Sequence, residues 1–221
     1  MDPREDHDYF LRHYGEHLEP DISPWTDPLL QGQGADDMRS YYRDLLEAVE
    51  SATKPIRDRL LHPQMASLFC NPTYEGTWAL RLAGEPKKNF TLILAKYKYS
   101  RSPQTPETRV EKTVTTSRTL LPCRLAELVC DIWTRVLYGT RYPKGRRIGM
   151  CDGVMYHFAY WSEDTWSMTG ETHSPPKTTV PGQLATLAKA LKAYVEADGE
   201  AQQLVYRDIK AQVAAFPAEV E

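Results

Sequence analysis

Residues 77–99, TWALRLAGEPKKNFTLILAKYKY, hold the pattern that decides the fold. Side chains alternate between apolar and other types from Thr77 to Leu82 and again from Phe90 to Tyr99, and a period of two is typical of strands. The segment Gly-Glu-Pro-Lys-Lys-Asn between them is rich in turn formers. The stretch therefore predicts an antiparallel hairpin.

Further strands are predicted on the C-terminal side of this hairpin. Residues 109–119 are rich in Val and Thr and favour a third strand. Residues 147–150 and 154–161 flank an Asp-Gly turn, which predicts a second hairpin because glycine tolerates positive φ. Residues 165–169 favour one more short strand, and residues 170–182, rich in Pro, Thr and Ser, favour a loop.

Helical periodicity surrounds the strands. A helix capped by Asp36 or Asp37 continues to about Pro63, with a boundary or kink at Pro55. Further helices are predicted at 121–138, 183–197 and 200–216, and Leu128 is among the side chains that the pattern directs to the core. Hairpins rather than βαβ crossovers connect the strands. We therefore expect an α+β fold: an antiparallel sheet of about five strands packed by N-terminal, central and C-terminal helices.

Length and composition suit one domain with an appendage. The chain has 221 residues, of which 41% are hydrophobic and 26% charged, and this excludes disorder, collagen and coiled coil for the chain as a whole. Residues 4–18 favour a short helix, and 19–35 carry three prolines and two glycines. We expect residues 1–35 to form an N-terminal helix and proline-containing arm, and residues 36–221 to form a single α+β domain.

The first residues and the cysteines predict a cytoplasmic protein. The start, Met-Asp-Pro-Arg-Glu-Asp, is acidic and polar, unlike the basic and then apolar start of a signal peptide. The longest apolar runs fall far short of the roughly 20 residues that a membrane span needs. The four cysteines are scattered, as in a protein with reduced thiols.

Charge is unevenly distributed along the chain. The net charge of −3 conceals −9 over residues 1–50, +11 over 51–150 and −5 over 151–221. A basic middle favours an acidic partner or a phosphate backbone. The alternative is that the acidic ends fold over the middle and neutralise it internally.

One short motif has the pattern of a metal-binding signature. His13, Glu16 and His17 spell H-x-x-E-H, in which two histidines one helical turn apart bind zinc and the glutamate activates water. Gly15 weakens a helix inside the motif, and no downstream acidic ligand is evident. A metal-dependent hydrolase is therefore an alternative hypothesis, and incidental histidines are the main interpretation.

A second cluster has the residue types of acid/base catalysis. His157 is predicted on a strand face with Met155 and Trp161, and His173 and Glu171 follow nearby in the sequence. These groups would suit a small hydrolase or transferase. The chain has no phosphate loop, dinucleotide fingerprint, nucleophile elbow or C-x-x-C pair, so no cofactor is predicted and the cysteines are interpreted as small buried side chains.

Basic and aromatic residues favour a binding protein. Alternation places Lys96 and Lys98 on one strand face and Tyr97 and Tyr99 on the other, which disfavours nucleic acid because cations and stacking rings would not share a surface. We expect a non-catalytic module, of the immunity or antitoxin type, that neutralises a toxin or enzyme partner with an acidic surface, away from any membrane. The residues expected to contact this partner are Lys96, Lys98, Arg101, Lys144, Arg146, Arg147, Trp161 and Trp166.

Overall fold

A computed structural model describes most of the chain. The described residues are 18, 33–72, 76–101, 110–140, 153–163 and 166–217. The elements are α1 (Gln33–Arg57), β1 (Gln64–Pro72), β2 (Trp78–Gly84), β3 (Phe90–Arg101), β4 (Val110–Leu121), α2 (Cys123–Tyr138), β5 (Val154–Ser162), β6 (Trp166–His173), α3 (Val180–Glu196) and α4 (Gly199–Ala215). Among these helices, none combines the length and hydropathy of a transmembrane span.

The strands form one antiparallel sheet in the order β4-β3-β2-β1-β5-β6. The α+β class with an antiparallel sheet is confirmed, with six strands where about five were expected. The hairpin predicted from residues 77–99 is β2–β3, in which Trp78 pairs with Lys96 and Leu82 with Leu92.

The additional strand, β1, lies at the centre of the sheet. It pairs with β2 on one side and with β5 on the other. Three successive residues, Leu68, Phe69 and Cys70, are buried because helices pack on both faces of the sheet there. A strand that is buried on both faces lacks the alternation by which strands are recognised in a sequence.

One prediction about a neighbouring segment was wrong, and the strand expected at residues 147–150 lies outside the described residues. Residues 170–173 belong to β6, and 180–182 belong to α3 rather than to a loop. The Pro, Thr and Ser content of residues 170–182 favoured a loop. Pairing in β6 and the capped start of α3 instead satisfy many backbone N–H and C=O groups of this segment.

Helices cover both faces of the sheet. On one face, α2, α3 and α4 enclose the larger core, which includes Trp78, Phe90, Trp133 and Phe158. On the other face, α1 packs against β2, β3 and β4, with Leu45 and Val49 in contact with sheet side chains. Leu18, the last residue of the expected N-terminal helix, is buried in the larger core.

Two helical predictions were also corrected. The first helix ends at Arg57 rather than near Pro63, and Leu61 is exposed because the chain turns there into β1. Leu128, expected in the core, is 44% exposed. Leu125, which was also expected in the core, is buried, and Leu128 lies at the edge of the buried stripe of this helix.

Glu50 connects α1 to the sheet. Its Oε2 accepts a hydrogen bond from Arg81 Nη1 at 2.5 Å, its Oε1 accepts another from Arg57, and Arg81 Nε donates to Ser67 Oγ at 3.0 Å. Burial by itself raises the pKa of Glu50. Hydrogen bonds and positive charge from Arg81 and then Arg57 outweigh this effect and hold the pKa below its ordinary value.

Replacing Glu50 with glutamine is expected to lower the free energy of unfolding by about 1 kcal/mol at neutral pH, a small value because Glu50 is 45% exposed and screened by water. A carboxylate with a lowered pKa stabilises the fold above its unfolded-state pKa, and this stabilisation is lost as the pH falls through the folded-state pKa. The difference between wild type and Glu50→Gln should therefore shrink as the pH falls below the ordinary glutamate pKa of about 4.3 and disappear below the lowered folded-state pKa. Urea unfolding across a pH series measures it, with exposed Glu47→Gln as the control; a difference that is independent of pH would contradict the linkage.

Candidate functional site

His157 and Glu171 meet across the β5–β6 pair. The register places the two residues directly opposite each other, and His157 Nδ1 lies 3.3 Å from Glu171 Oε2. The two side chains are only 13% and 8% exposed. On the other side of His157, the ring of Phe69 lies at a centroid distance of 6.1 Å, so the imidazole is held between an aromatic ring and a carboxylate.

His173 lies on the same face of β6 as Glu171, two residues further along the strand. Burial lowers its pKa, which favours the neutral imidazole at pH 7. The acid/base residues expected from the sequence are thus brought to one sheet face. An imidazole in contact with a carboxylate, on the same sheet face as a second imidazole, has the groups that proton transfer requires.

The strand ends beside His173 are tightly connected. Ser174 has a left-handed backbone, with φ of 42°, and its Oγ accepts a hydrogen bond from the Val154 backbone N–H at 2.8 Å. Gly153 has φ of 135°, and a Cβ there would lie 2.3 Å from Ser174 Oγ and 2.5 Å from the His173 ring. Glycine is favoured by this φ, and any side chain at position 153 would also displace the side chains of Ser174 and His173.

Trp161 is partly exposed on this same face. It pairs with Met65 of β1 and with Ser167 of β6, and alternation along β5 places it with His157 and Met155. Helix α1 packs on this same face of the sheet, but mainly over β2, β3 and β4. On this face, the β1–β5–β6 surface, the partly exposed Trp161 therefore lies on the same side of the sheet as the largely buried His157–Glu171 pair.

Lys96, one of the basic residues expected to bind a partner, forms an ion pair within the chain. Lys96 Nζ donates to Glu196 Oε1 at 2.5 Å, and Lys192 Nζ donates to the other oxygen at 3.0 Å. Burial raises the pKa of Glu196, but the two lysines outweigh it and keep the pKa below its ordinary value. At this position the acidic C-terminal region neutralises the basic middle internally.

The other predicted contact residues are described in part or not at all. Lys98 and Arg101 lie on β3 and Trp166 begins β6, but the structure describes only the backbone at these three positions. Lys144, Arg146 and Arg147 lie outside the described residues, as do His13, Glu16 and His17. Their assignment to a partner or to a metal stays a prediction.

Within the described residues, no group of three or more His, Cys, Asp and Glu side chains is arranged to hold a metal ion. Burial, with smaller contributions from Glu127 and Asp131, raises the pKa of Cys130 to about 12, so this thiol is protonated and unreactive. Cys70 is buried in the same core as Cys130. Cys70 and Cys130 therefore agree with the interpretation of the cysteines as small buried side chains, whereas Cys123 is only partly buried and Cys151 lies outside the described residues.

Two cavities were not anticipated from the sequence. One, of about 490 Å³, lies at the end of the sheet where His62 Nδ1 is 3.1 Å from Glu163 Oε2, near Glu85 and Lys87. Its location depends on β1, which the sequence did not reveal. The other, of about 460 Å³, lies between α2 and α4. The only sequence signal for it was the one-turn spacing of Arg124 and Leu128.

Comparisons with protein-family models, with curated proteins and with solved structures find no match for this chain.

Proposed function

We propose that this protein is a non-catalytic binding module of the cytoplasm, an inhibitor of the immunity or antitoxin type that holds a partner protein. The observation that supports this best is Trp161, a large aromatic side chain left partly exposed on the β1–β5–β6 surface. Tryptophan is enriched among the residues that contribute most to protein interfaces, because a large apolar ring combines with one N–H donor. The partner's acidic surface is inferred from the charge of +11 over residues 51–150.

The Trp161→Ala variant is expected to weaken the partner complex at least 30-fold, which corresponds to about 2 kcal/mol. The full chain is first used to capture the partner from native extract, and the purified pair is then titrated by calorimetry. Leu204→Ala, which removes an exposed apolar side chain from α4, is the matched control. An equal affinity for Trp161→Ala and wild type would remove Trp161 from the interface.

Reversing the charge of Lys144, Arg146 and Arg147 tests the acidic surface. The affinity should fall without loss of folding, and wild-type binding should weaken as salt is added, because the attraction is screened. If the partner is an enzyme or toxin, its activity should be abolished at an equimolar amount of this protein. Full partner activity in a saturated complex would contradict the inhibitor assignment.

A second candidate function rests on the His157–Glu171 contact of 3.3 Å. In this alternative the protein is a small hydrolase or transferase that uses His157, Glu171 and His173 for proton transfer. Turnover of simple ester and phosphoester substrates would then fall about 100-fold or more in His157→Gln and Glu171→Gln. The binding module predicts no turnover in the wild type and a loss of affinity in Trp161→Ala, so the two functions give different results.

A further inference from the structure

An apolar groove opens between α2 and α4, on the sheet face opposite Trp161. Leu125 and Leu128 of α2 and Tyr206 and Val213 of α4 line it. Leu125 is buried at the base, while Leu128 at the rim is substantially exposed. Exposed leucine beside a concave apolar surface is typical of a site where another chain docks.

The charged residues that line this groove are Arg124 on α2 and Lys210 on α4, both exposed and both basic. Two acidic side chains on the same helices have other contacts: Asp131 accepts from Arg135 at 3.0 Å, and Asp208 accepts from Gln212 at 2.8 Å. Both charged side chains that line the groove are therefore positive, although the whole chain has a net charge of −3.

The residues that line the groove recur at intervals of four along each helix. Arg124 and Leu128 are one turn apart on α2, and Tyr206, Lys210 and Ala214 follow at the same spacing on α4. The α4 stripe thus extends about 12 Å, or roughly two turns. A third helix with apolar side chains at positions three and four apart presents ridges that fit between such walls.

We propose that this groove binds an acidic amphipathic helix of a partner protein. The apolar stripe of the helix would contact Leu125, Leu128 and Val213, and its flanking carboxylates would pair with Arg124 and Lys210. The site is separate from the surface of Trp161, so it stands or fails independently of the proposed function.

The test uses a synthetic, fluorescein-labelled peptide of about 18 residues, long enough to form a helix, with leucines along one stripe and glutamates elsewhere. Fluorescence anisotropy with the full chain should give a Kd of tens of micromolar. Two matched peptides serve as controls: one has lysine in place of every glutamate, and one has the same composition with leucines spread around the helix. Each should bind at least about 10-fold more weakly.

Variants of the full chain then locate the binding. The double variant Arg124→Glu, Lys210→Glu should lose at least about 10-fold in affinity for the acidic peptide and gain affinity for the lysine peptide. Arg207→Glu makes one such charge reversal on an exposed α4 residue outside the groove and should bind like wild type. Circular dichroism and thermal unfolding verify that each variant is folded.

Three results would overturn the proposal. The first is equal binding of the acidic and basic peptides, and the second is unchanged binding of the acidic peptide by the double variant. The third is binding to vesicles that contain phosphatidylserine with no binding to the acidic peptide, which would assign the basic rim to a membrane surface instead.

Discussion

Trp133→Ala is expected to lower the free energy of unfolding by about 4 kcal/mol, within the 3–5 kcal/mol typical of a buried tryptophan. Trp133 on α2 is 1% exposed and lies against Phe158 of β5 at a centroid distance of 5.4 Å, nearly edge to face. Its indole Nε1 donates a hydrogen bond to the Ser67 carbonyl of the central strand at 3.3 Å. Alanine would leave a cavity between helix and sheet and remove the donor to that carbonyl.

Denaturant unfolding measures this loss as a lower midpoint with an unchanged slope. Trp133→Phe separates the two contributions, since it keeps an aromatic ring but loses the N–H donor; we expect an intermediate cost of about 2 kcal/mol. Leu204→Ala removes an exposed side chain and should stay within about 0.5 kcal/mol of wild type. A loss below about 2 kcal/mol for Trp133→Ala would mean that this part of the core is not closely packed.

Gly182→Ala is expected to cost about 3 kcal/mol. A Cβ at Gly182 would lie 1.9 Å from the Pro176 carbonyl oxygen and 2.7 Å from its carbon, and backbone atoms cannot rotate away as a side chain can. Gly182 also donates its backbone N–H to Thr179 Oγ1, the N-cap of α3, at 3.3 Å. Moving the loop would break this cap, and that loss cancels the gain of about 1 kcal/mol from alanine's helix propensity.

Gly199→Ala is the control for this substitution. Gly199 has φ of 48°, but no atom lies within 4 Å of a Cβ placed there. Only the left-handed strain remains, which costs about 1 kcal/mol. Equal losses for the two variants in thermal or denaturant unfolding would show that the contact with Pro176 does not control stability.

From the sequence, the candidate site could be predicted only where the arrangement of its residues depends on the local pattern along one strand. Alternation along residues 154–161 correctly placed His157 and Trp161 on one face of a strand, opposite Tyr156 and Phe158. The contact with Glu171 depends on the β5–β6 register, and residues 170–173 were expected in a loop. The contact of Lys96 with Glu196, 100 residues away, leaves no sign in either local pattern.

The sequence by itself determined the α+β class, the β2–β3 hairpin and most of the helices, because a local period reflects which side of each element is buried. Only the tertiary structure decided that β1 lies at the centre of the sheet, where burial on both faces removes that period. It also decided which distant side chains meet: His157 with Glu171, Lys96 with Glu196, and the walls of the groove between α2 and α4. Such contacts follow from how strands and helices share the available apolar surface across the whole chain, which no short window of sequence contains.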